Sequence, residues 1–346
     1  MTARKRAIAA AGILTAVLAA CGSTGSGDST SPSPQASAPA SESAGPSTTP
    51  HPFAGSEVWI AYQTNRSGHE GVWLVHPDGS DDHEIALDVP GERLHPDWSP
   101  DGTQLVITSR TERDVLYSYD VESDTARVLW DCASPCVGDD EAVWSPDGER
   151  IAFVRAMEPF NEGVPSCALF VGDVQSGTVE QLTETVSCFD RETFPHWSRD
   201  GSRIAYYRGV YEGDTVESTA IYVFDVSTGT ETKVTEDAMF AGDSDWSADG
   251  EWLTFSTYPL NDFQCCEVSN LYRIHPDGSG LEQITQYDTP DLRATQPRYT
   301  PDGNSIIFTA VSPDARLPWV IPADGGEPVA VSSSGIYTHN AWQPAP

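Results

Sequence analysis

A single phrase recurs along this chain, and it restricts the fold more than any other feature. It reads Asp97-Trp98-Ser99-Pro100-Asp101-Gly102, Val143-Trp144-Ser145-Pro146-Asp147-Gly148, His196-Trp197-Ser198-Arg199-Asp200-Gly201, Asp245-Trp246-Ser247-Ala248-Asp249-Gly250 and Arg298-Tyr299-Thr300-Pro301-Asp302-Gly303. A shortened echo follows at Ala341-Trp342-Gln343-Pro344. Successive aromatic positions lie 46, 53, 49, 53 and 43 residues apart. Self-similarity at such a period marks a repeat architecture in which each unit buries its apolar face against the next.

Each unit spells out four strands. The aromatic residue closes an apolar strand, and Pro-Asp-Gly supplies a tight turn: Pro fixes φ, Asp bonds locally and Gly accepts a positive φ. A hairpin partner follows, as in Leu105-Val106-Ile107 and Ile151-Ala152-Phe153, then a third strand such as Leu116-Tyr117-Ser118-Tyr119 and a fourth such as Gln181-Leu182-Thr183. Val58-Trp59-Ile60-Ala61-Tyr62 matches a second strand with no first strand before it, whereas His339 to Trp342 is a first strand with nothing after it. The C-terminal strand is therefore expected to complete the first unit and leave no open edge. The expectation is an all-β, six-bladed β-propeller of four-stranded antiparallel blades over residues 55–346, about 49 residues to a blade.

The phrase Trp-Ser-Pro-Asp-Gly followed by Ile-Ala-Phe resembles the repeat of TolB-type propellers, which is also seen in oligogalacturonate lyases and in the propellers of prolyl oligopeptidase relatives. The resemblance covers the whole repeat region. It implies a propeller fold and admits several functions: interaction scaffold, lid or lyase. The residues before the repeats do not resemble the N-terminal α/β domain of TolB. Resemblance to the lyases makes a divalent cation among axial histidines an alternative to a site without cofactor.

The N-terminal residues have a different character. Arg4, Lys5 and Arg6 precede an apolar run from Ala7 to Ala20, shorter than a membrane span requires, which reads as a signal peptide over 1–20. Leu18-Ala19-Ala20-Cys21 resembles the bacterial lipobox, and that resemblance implies a mature chain starting at a lipid-bearing Cys21. Residues 21–54, dominated by Ser, Thr, Pro, Ala and Gly, are expected to be a disordered tether. The chain has 52 acidic and 19 basic side chains, and loss of the signal segment takes its net charge from −33 to −36. Nucleic acid is excluded as a partner, because phosphate binding needs a basic surface.

Six cysteines remain after Cys21. In a propeller, the loops entering the first strands and those between second and third strands share one face, opposite the Pro-Asp-Gly turns. Cys132, Cys136, Cys167, Cys188, Cys265 and Cys266 all map to that face. An even number in an exported chain predicts disulfides. Six cysteines allow 15 pairings, and proximity favours Cys132 with Cys136 and Cys167 with Cys188. Cys265 and Cys266 are adjacent, either a redox-sensitive or metal-binding pair or a loop staple. The segments from Ala156 to Ser166, Gly209 to Thr219 and Tyr258 to Asn270 are expected to be long loops on the same face, where binding usually resides.

First strands line the axis. The positions three and one before each repeat aromatic include His95, Asp97, Glu141, His196, Asp243, Asp245, Arg298 and His339. Strand alternation points both sets into the central channel on the cysteine-bearing side, where they form a candidate polar-ligand or cation site. There is no Gly-x-Ser-x-Gly elbow and no phosphate-cradling glycine loop. His76-Pro77-Asp78-Gly79 and His275-Pro276-Asp277-Gly278 read as turn chemistry. The expected function is a monomeric, membrane-anchored extracytoplasmic binding module or scaffold for a protein or polar ligand of the cell envelope. A propeller lyase or metal-dependent hydrolase acting on an oligosaccharide is the alternative.

Overall fold

Each Pro-Asp-Gly turn closes in the same way. The carbonyl of Ser99 accepts the N–H of Gly102 at 2.8 Å, and Gly102 sits at φ +70°. Ser99 Oγ donates to Asp101 Oδ1 at 2.6 Å, and the same carboxylate oxygen accepts the N–H of Thr103 at 3.1 Å. These donors hold the Asp101 carboxyl below its usual range, and the matching donors hold Asp200 in the third copy down to about 2. The positive φ recurs at Gly148, Gly201, Gly250 and Gly303, which is why glycine ends every complete copy.

The computed structural model describes residues 58–344 apart from 162–163, 189–191, 213–214, 258–267, 290–291, 313–314 and 332–337. The signal segment, Cys21, the tether, Cys265 and Cys266 lie outside the described residues, as does the side chain of His339. The described chain forms six antiparallel sheets. Blade 1 runs from the axis outward as Thr338–Trp342, Ile60–Thr64, Gly71–Val75 and His83–Glu84. Blade 2 follows as Glu92–Trp98, Gln104–Arg110, Asp114–Asp120 and Thr125–Val128. Blades 3 to 6 open with Cys136–Trp144, Glu192–Trp197, Ala241–Trp246 and Arg293–Tyr299. Blade 3 carries an additional short strand, Val186–Ser187, on its third strand.

Closure is the expected one. Trp342 pairs with Ile60 and Ala341 with Ala61. Gln343 then fastens the seam: its N–H donates to the Trp59 carbonyl at 2.8 Å, and its Oε1 accepts the Trp59 N–H at 2.9 Å. Its Nε2 reaches Gly102 O in blade 2 at 2.7 Å.

The core is distributed over the seams between blades. The repeat aromatic of each of blades 2 to 6 packs against the sheet before it, so Trp98 joins Ala61, Val72 and Leu74 of blade 1, and Trp246 joins Ala205, Ile221 and Val223 of blade 4. These five clusters and a sixth between blades 6 and 1, built on Ile60, Tyr62 and Ile307, circle the ring. A fully buried side chain of this kind contributes about 2 kcal/mol, so the repetition of one aromatic position accounts for much of the driving force.

Two expected loops are strands instead. The second and third strands of blade 3, Arg150–Asn161 and Val164–Asp173, and those of blade 4, Arg203–Glu212 and Thr215–Asp225, continue past the sheet as two-stranded ribbons. Pairing reaches Asn161 with Val164 and Glu212 with Thr215. Most of the third expected loop lies outside the described residues.

Candidate functional site

The innermost strands are not regular. In blade 2, Leu94 faces Thr108 and Asp97 faces Val106, so two residues, His95 and Pro96, oppose Ile107 alone. The same bulge places Glu141 and Ala142 opposite Phe153, Phe194 and Pro195 opposite Tyr206, Asp243 and Ser244 opposite Phe255, and Gln296 and Pro297 opposite Phe308. The first bulge residue is left-handed each time, with φ of 52° at His95, 55° at Glu141, 50° at Phe194, 52° at Asp243 and 55° at Gln296. None is glycine, and such a conformation costs roughly 1–2 kcal/mol per residue. The extra residue corrects the expected alternation. Positions three and one before the aromatic do not share one mouth of the channel; they fall in two layers.

The layer nearer the cysteines is bonded across the blades. The left-handed N–H of His95 donates to Gln63 Oε1 at 3.1 Å and that of Phe194 to Glu141 Oε2 at 2.9 Å, while Asp243 takes the N–H of Gln296. Asp140 accepts from Glu141 N at 2.8 Å, holds His95 Nδ1 at 2.8 Å through Oδ1 and Arg110 Nη2 at 2.9 Å through Oδ2. Arg110 Nε also meets Asp114 Oδ1 at 3.3 Å. Burial alone would push the His95 imidazole down, but the charges of Asp140 and Glu141 and the Asp140 hydrogen bond outweigh it and raise its pKa. Burial, with the neighbouring Asp140 charge, lifts Asp114 to about 6, and burial lifts Asp243 to about 7 against the pull of Arg298. Sequence reasoning missed Gln63, Arg110, Asp114 and Asp140; only the bulge brings Asp140 to His95.

The second layer lies at the Pro-Asp-Gly end of the axis, not on the cysteine side. It lines a pocket of about 130 Å3 that includes Asp97, His196, Asp245 and Arg298 and reaches Pro100, Pro146, Pro301 and Arg199 of the turns. Asp97 Oδ2 accepts Trp144 N at 2.9 Å and Asp245 Oδ2 accepts Tyr299 N at 2.8 Å, each strapping its blade to the next. Arg298 Nη1 donates to His196 Nδ1 at 2.6 Å and stands 3.9 Å from Asp245 Oδ1. An arginine only donates, so His196 Nδ1 accepts and the ring is neutral. Burial, then the Arg298 charge, pushes its pKa well down, in agreement. Burial raises Asp97 to about 6 although Arg298, the Trp144 N–H and Arg199 favour its charged form. Arg199 was not among the expected site residues. Its signal was visible, because it stands where three of the four other complete copies of the phrase have Pro and the fourth has Ala.

In the lower layer the Arg298 guanidinium already stands among these donors, which disfavours a divalent cation beside it. His196 Nδ1 is taken by Arg298, Asp97 and Asp245 each give one oxygen to a backbone N–H, and a fixed guanidinium lies between these groups. Among the described residues, one group brings three candidate ligand atoms within 4.8 Å of one another: Cys132, Cys136 and Asp139. Both sulfurs there belong to a disulfide, and Asp139 is held by Arg155 Nε at 2.7 Å and Nη2 at 2.8 Å.

No family model matches the sequence. A protein of unassigned function from Agrobacterium fabrum is 26% identical over 219 residues, and the match spans 63% of this chain and 66% of that protein's length. The structure of TolB from Acinetobacter baumannii superposes with a TM-score of 0.63 at 20% identity, covering 83% of this chain and 67% of that one. A TolB candidate from Agrobacterium tumefaciens gives 0.58 at 20% identity, covering 82% of this chain and 91% of that one. The fold is a TolB-like propeller. An oligogalacturonate lyase in complex with manganese shares the same architecture, with a TM-score of 0.55 at 15% identity over 78% of this chain and 72% of that one.

Two disulfides staple the TolB-like propeller, Cys132–Cys136 with Cα atoms 5.2 Å apart and Cys167–Cys188 with Cα atoms 4.8 Å apart. They are the pairs that proximity favoured. Cys167 lies within a strand and not in a loop, paired with Ala156 on one side and Val186 on the other. The His-Pro-Asp-Gly turns are latches: His76 stacks on Trp59 at 3.8 Å and His275 packs on Trp252 at 3.9 Å, each binding a backbone carbonyl through Nδ1.

Proposed function

We propose that this chain is an extracytoplasmic binding module whose partner engages the axial pocket at the Pro-Asp-Gly face of a TolB-like propeller. In this reading residues 1–20 direct export, Cys21 carries the lipid and residues 21–54 tether the ring above the membrane; among the described residues no helix is long and apolar enough to cross one. The observation that carries the reading is the division of the axis. One layer is cross-bonded between blades, and the other opens as a pocket among the turns. A rigid ring with one polar opening suits recognition, because ordering entropy is already met by the fold. The likeness to TolB structures supports a protein partner in the envelope. A lyase or hydrolase using an axial cation receives no support from a donor set already committed to Arg298 and backbone N–H groups.

Photo-crosslinkers at Ala248, exposed in the turn of blade 5, and at Val210, exposed on the opposite ribbon, test this on intact cells. A partner captured reproducibly from position 248 and not from 210 is the expected result. Capture from 210 alone would move the binding surface to the cysteine-bearing face and overturn the reading. Labelling with radioactive palmitate, lost in a Cys21→Ser variant, is the expected outcome for the anchor.

A further inference from the structure

The largest unused donor capacity in the axial pocket belongs to two guanidiniums. Arg298 has five N–H donors, and among the described residues it makes one hydrogen bond, to His196. Arg199 is exposed, lines the same pocket and has no partner there among the described residues. Asp97 and Asp245 each hold a backbone N–H through one oxygen, and His196 holds Arg298. Neither guanidinium makes a carboxylate hydrogen bond among the described residues, although Arg298 stands 3.9 Å from Asp245 Oδ1. Other arginines are held directly by carboxylates, Arg66 by Asp82, Arg155 by Asp139 and Arg208 by Glu231, each at 2.7 Å, whereas among the described residues Arg113 and Arg203 bond only backbone carbonyls.

Arg199 also breaks the repeat that surrounds it. The Ser198 carbonyl accepts Gly201 N–H at 2.9 Å, as in the copies that carry Pro, so the turn does not need arginine there. The pocket, about 130 Å3, is open toward the turns and has room for a small polar group of a ligand standing on the face.

We propose that this pocket binds a carboxylate, held between the guanidiniums of Arg298 and Arg199, on a ligand entering from the Pro-Asp-Gly face. The inference rests on the binding-module reading and names the chemistry that its site recognises. Planar guanidinium forks match carboxylate geometry through paired N–H donors, which an ammonium cannot reproduce. The carboxylate belongs either to a small free acid or to a polypeptide chain, as a C-terminus or an acidic side chain.

Titration calorimetry on the full chain distinguishes these with three probes: acetyl-Ala-Ala as free acid, the same peptide as its amide, and acetate. The acid is expected to bind at least tenfold more tightly than the amide. Arg298→Lys should weaken the acid at least tenfold. Arg199→Pro, which restores the turn residue of the repeat and so should fold as well as the parent, should do the same at an unchanged or higher Tm. Acetate binding as tightly as the peptide acid assigns the site to small free acids; peptide acid tenfold tighter assigns it to chain-borne carboxylates. Equal behaviour of acid and amide, including failure of both, overturns the proposal, as does a folded Arg199→Pro variant that binds like the parent. Crosslinking from position 248 separates the two readings: a captured partner indifferent to Arg199→Pro leaves the binding module standing and removes only the carboxylate.

Discussion

Along the strand from Cys136 to Trp144, Asp140 joins His95 to Arg110 and Glu141 closes onto Phe194, whereas at the level of the turns Arg298 and Arg199 keep most of their donors without a protein partner. Both layers come from the same six strands and hold the same residue types. They differ because a bulge separates them. In the upper layer the left-handed residues present N–H groups that sheet pairing cannot reach; side chains of the neighbouring blade satisfy those of His95, Phe194 and Gln296, and Asp140 of the same strand satisfies that of Glu141. In the lower layer the strand is regular again, its backbone N–H groups need only the straps from Asp97 and Asp245, and the remaining side chains are free for a ligand.

If the upper layer is structural, breaking it should cost stability most. Asp140→Ala removes the acceptor shared by His95, Arg110 and Glu141 N and leaves the nearly buried Arg110 guanidinium with Asp114 as its one carboxylate. A loss of about 3 kcal/mol is expected, since removing one partner of a buried pair leaves the other charge uncompensated. Urea unfolding measures it; a change below about 1 kcal/mol would show that the network is decorative.

Asp243 sharpens the comparison through pH. Its folded pKa of about 7 stands above the ordinary 3.8, so the native state binds its proton more tightly. That contribution is complete below about 4 and is lost as pH rises through about 7. Asp243→Asn keeps an acceptor for Gln296 N–H without the charge, so it should leave stability at pH 4 nearly unchanged. At pH 8 it should add on the order of 1–3 kcal/mol. Denaturation at both pH values decides, and a gain independent of pH would contradict the raised pKa.

In the lower layer the corresponding test reads binding. Asp97, facing Arg298, Asp245 and Arg199, titrates at about 6 and bears a negative charge above that. Because the neutral His196 adds no charge of its own, binding of acetyl-Ala-Ala should tighten as pH falls through about 6 while the ligand, with a pKa near ~3.5, stays ionised. Asp97→Asn should bind about three- to fivefold more tightly at pH 7.5 and lose that dependence, a coupling of about 1 kcal/mol. A pH profile unchanged by the substitution would separate Asp97 from the ligand.

The blade count, the closing strand and two disulfide pairs were legible because each is written as a repeat, a missing partner or a short spacing. The bulge was not. It is built on His95, Glu141, Phe194, Asp243 and Gln296, five side chains with no common chemistry, and no residue among them announces a positive φ as glycine would. Without it, alternation places His95 and Asp97 together at one mouth; with it, they belong to two different layers. The blade-to-blade acceptors were hidden for a related reason: Glu141 and Phe194 are 53 residues apart and meet only through the ring. Arg199 was the legible exception, a departure from the repeat at a position whose folding role proline serves better.

That exception yields the smallest effect. Proline at the second position of such a turn limits the unfolded chain where the native φ already suits it, and replacements of this kind contribute about 0.4–1 kcal/mol. Arg199 donates no backbone hydrogen bond among the described residues, and the turn bond from Gly201 to Ser198 at 2.9 Å matches the 2.8 Å and 2.9 Å of the Pro-bearing turns at Gly102 and Gly148. Arg199→Pro should therefore raise Tm by about 1–3 °C in a domain of this size. A fall in Tm by calorimetry would mean that Arg199 holds the lower layer together, and the contrast between a bonded layer and an open one would no longer stand.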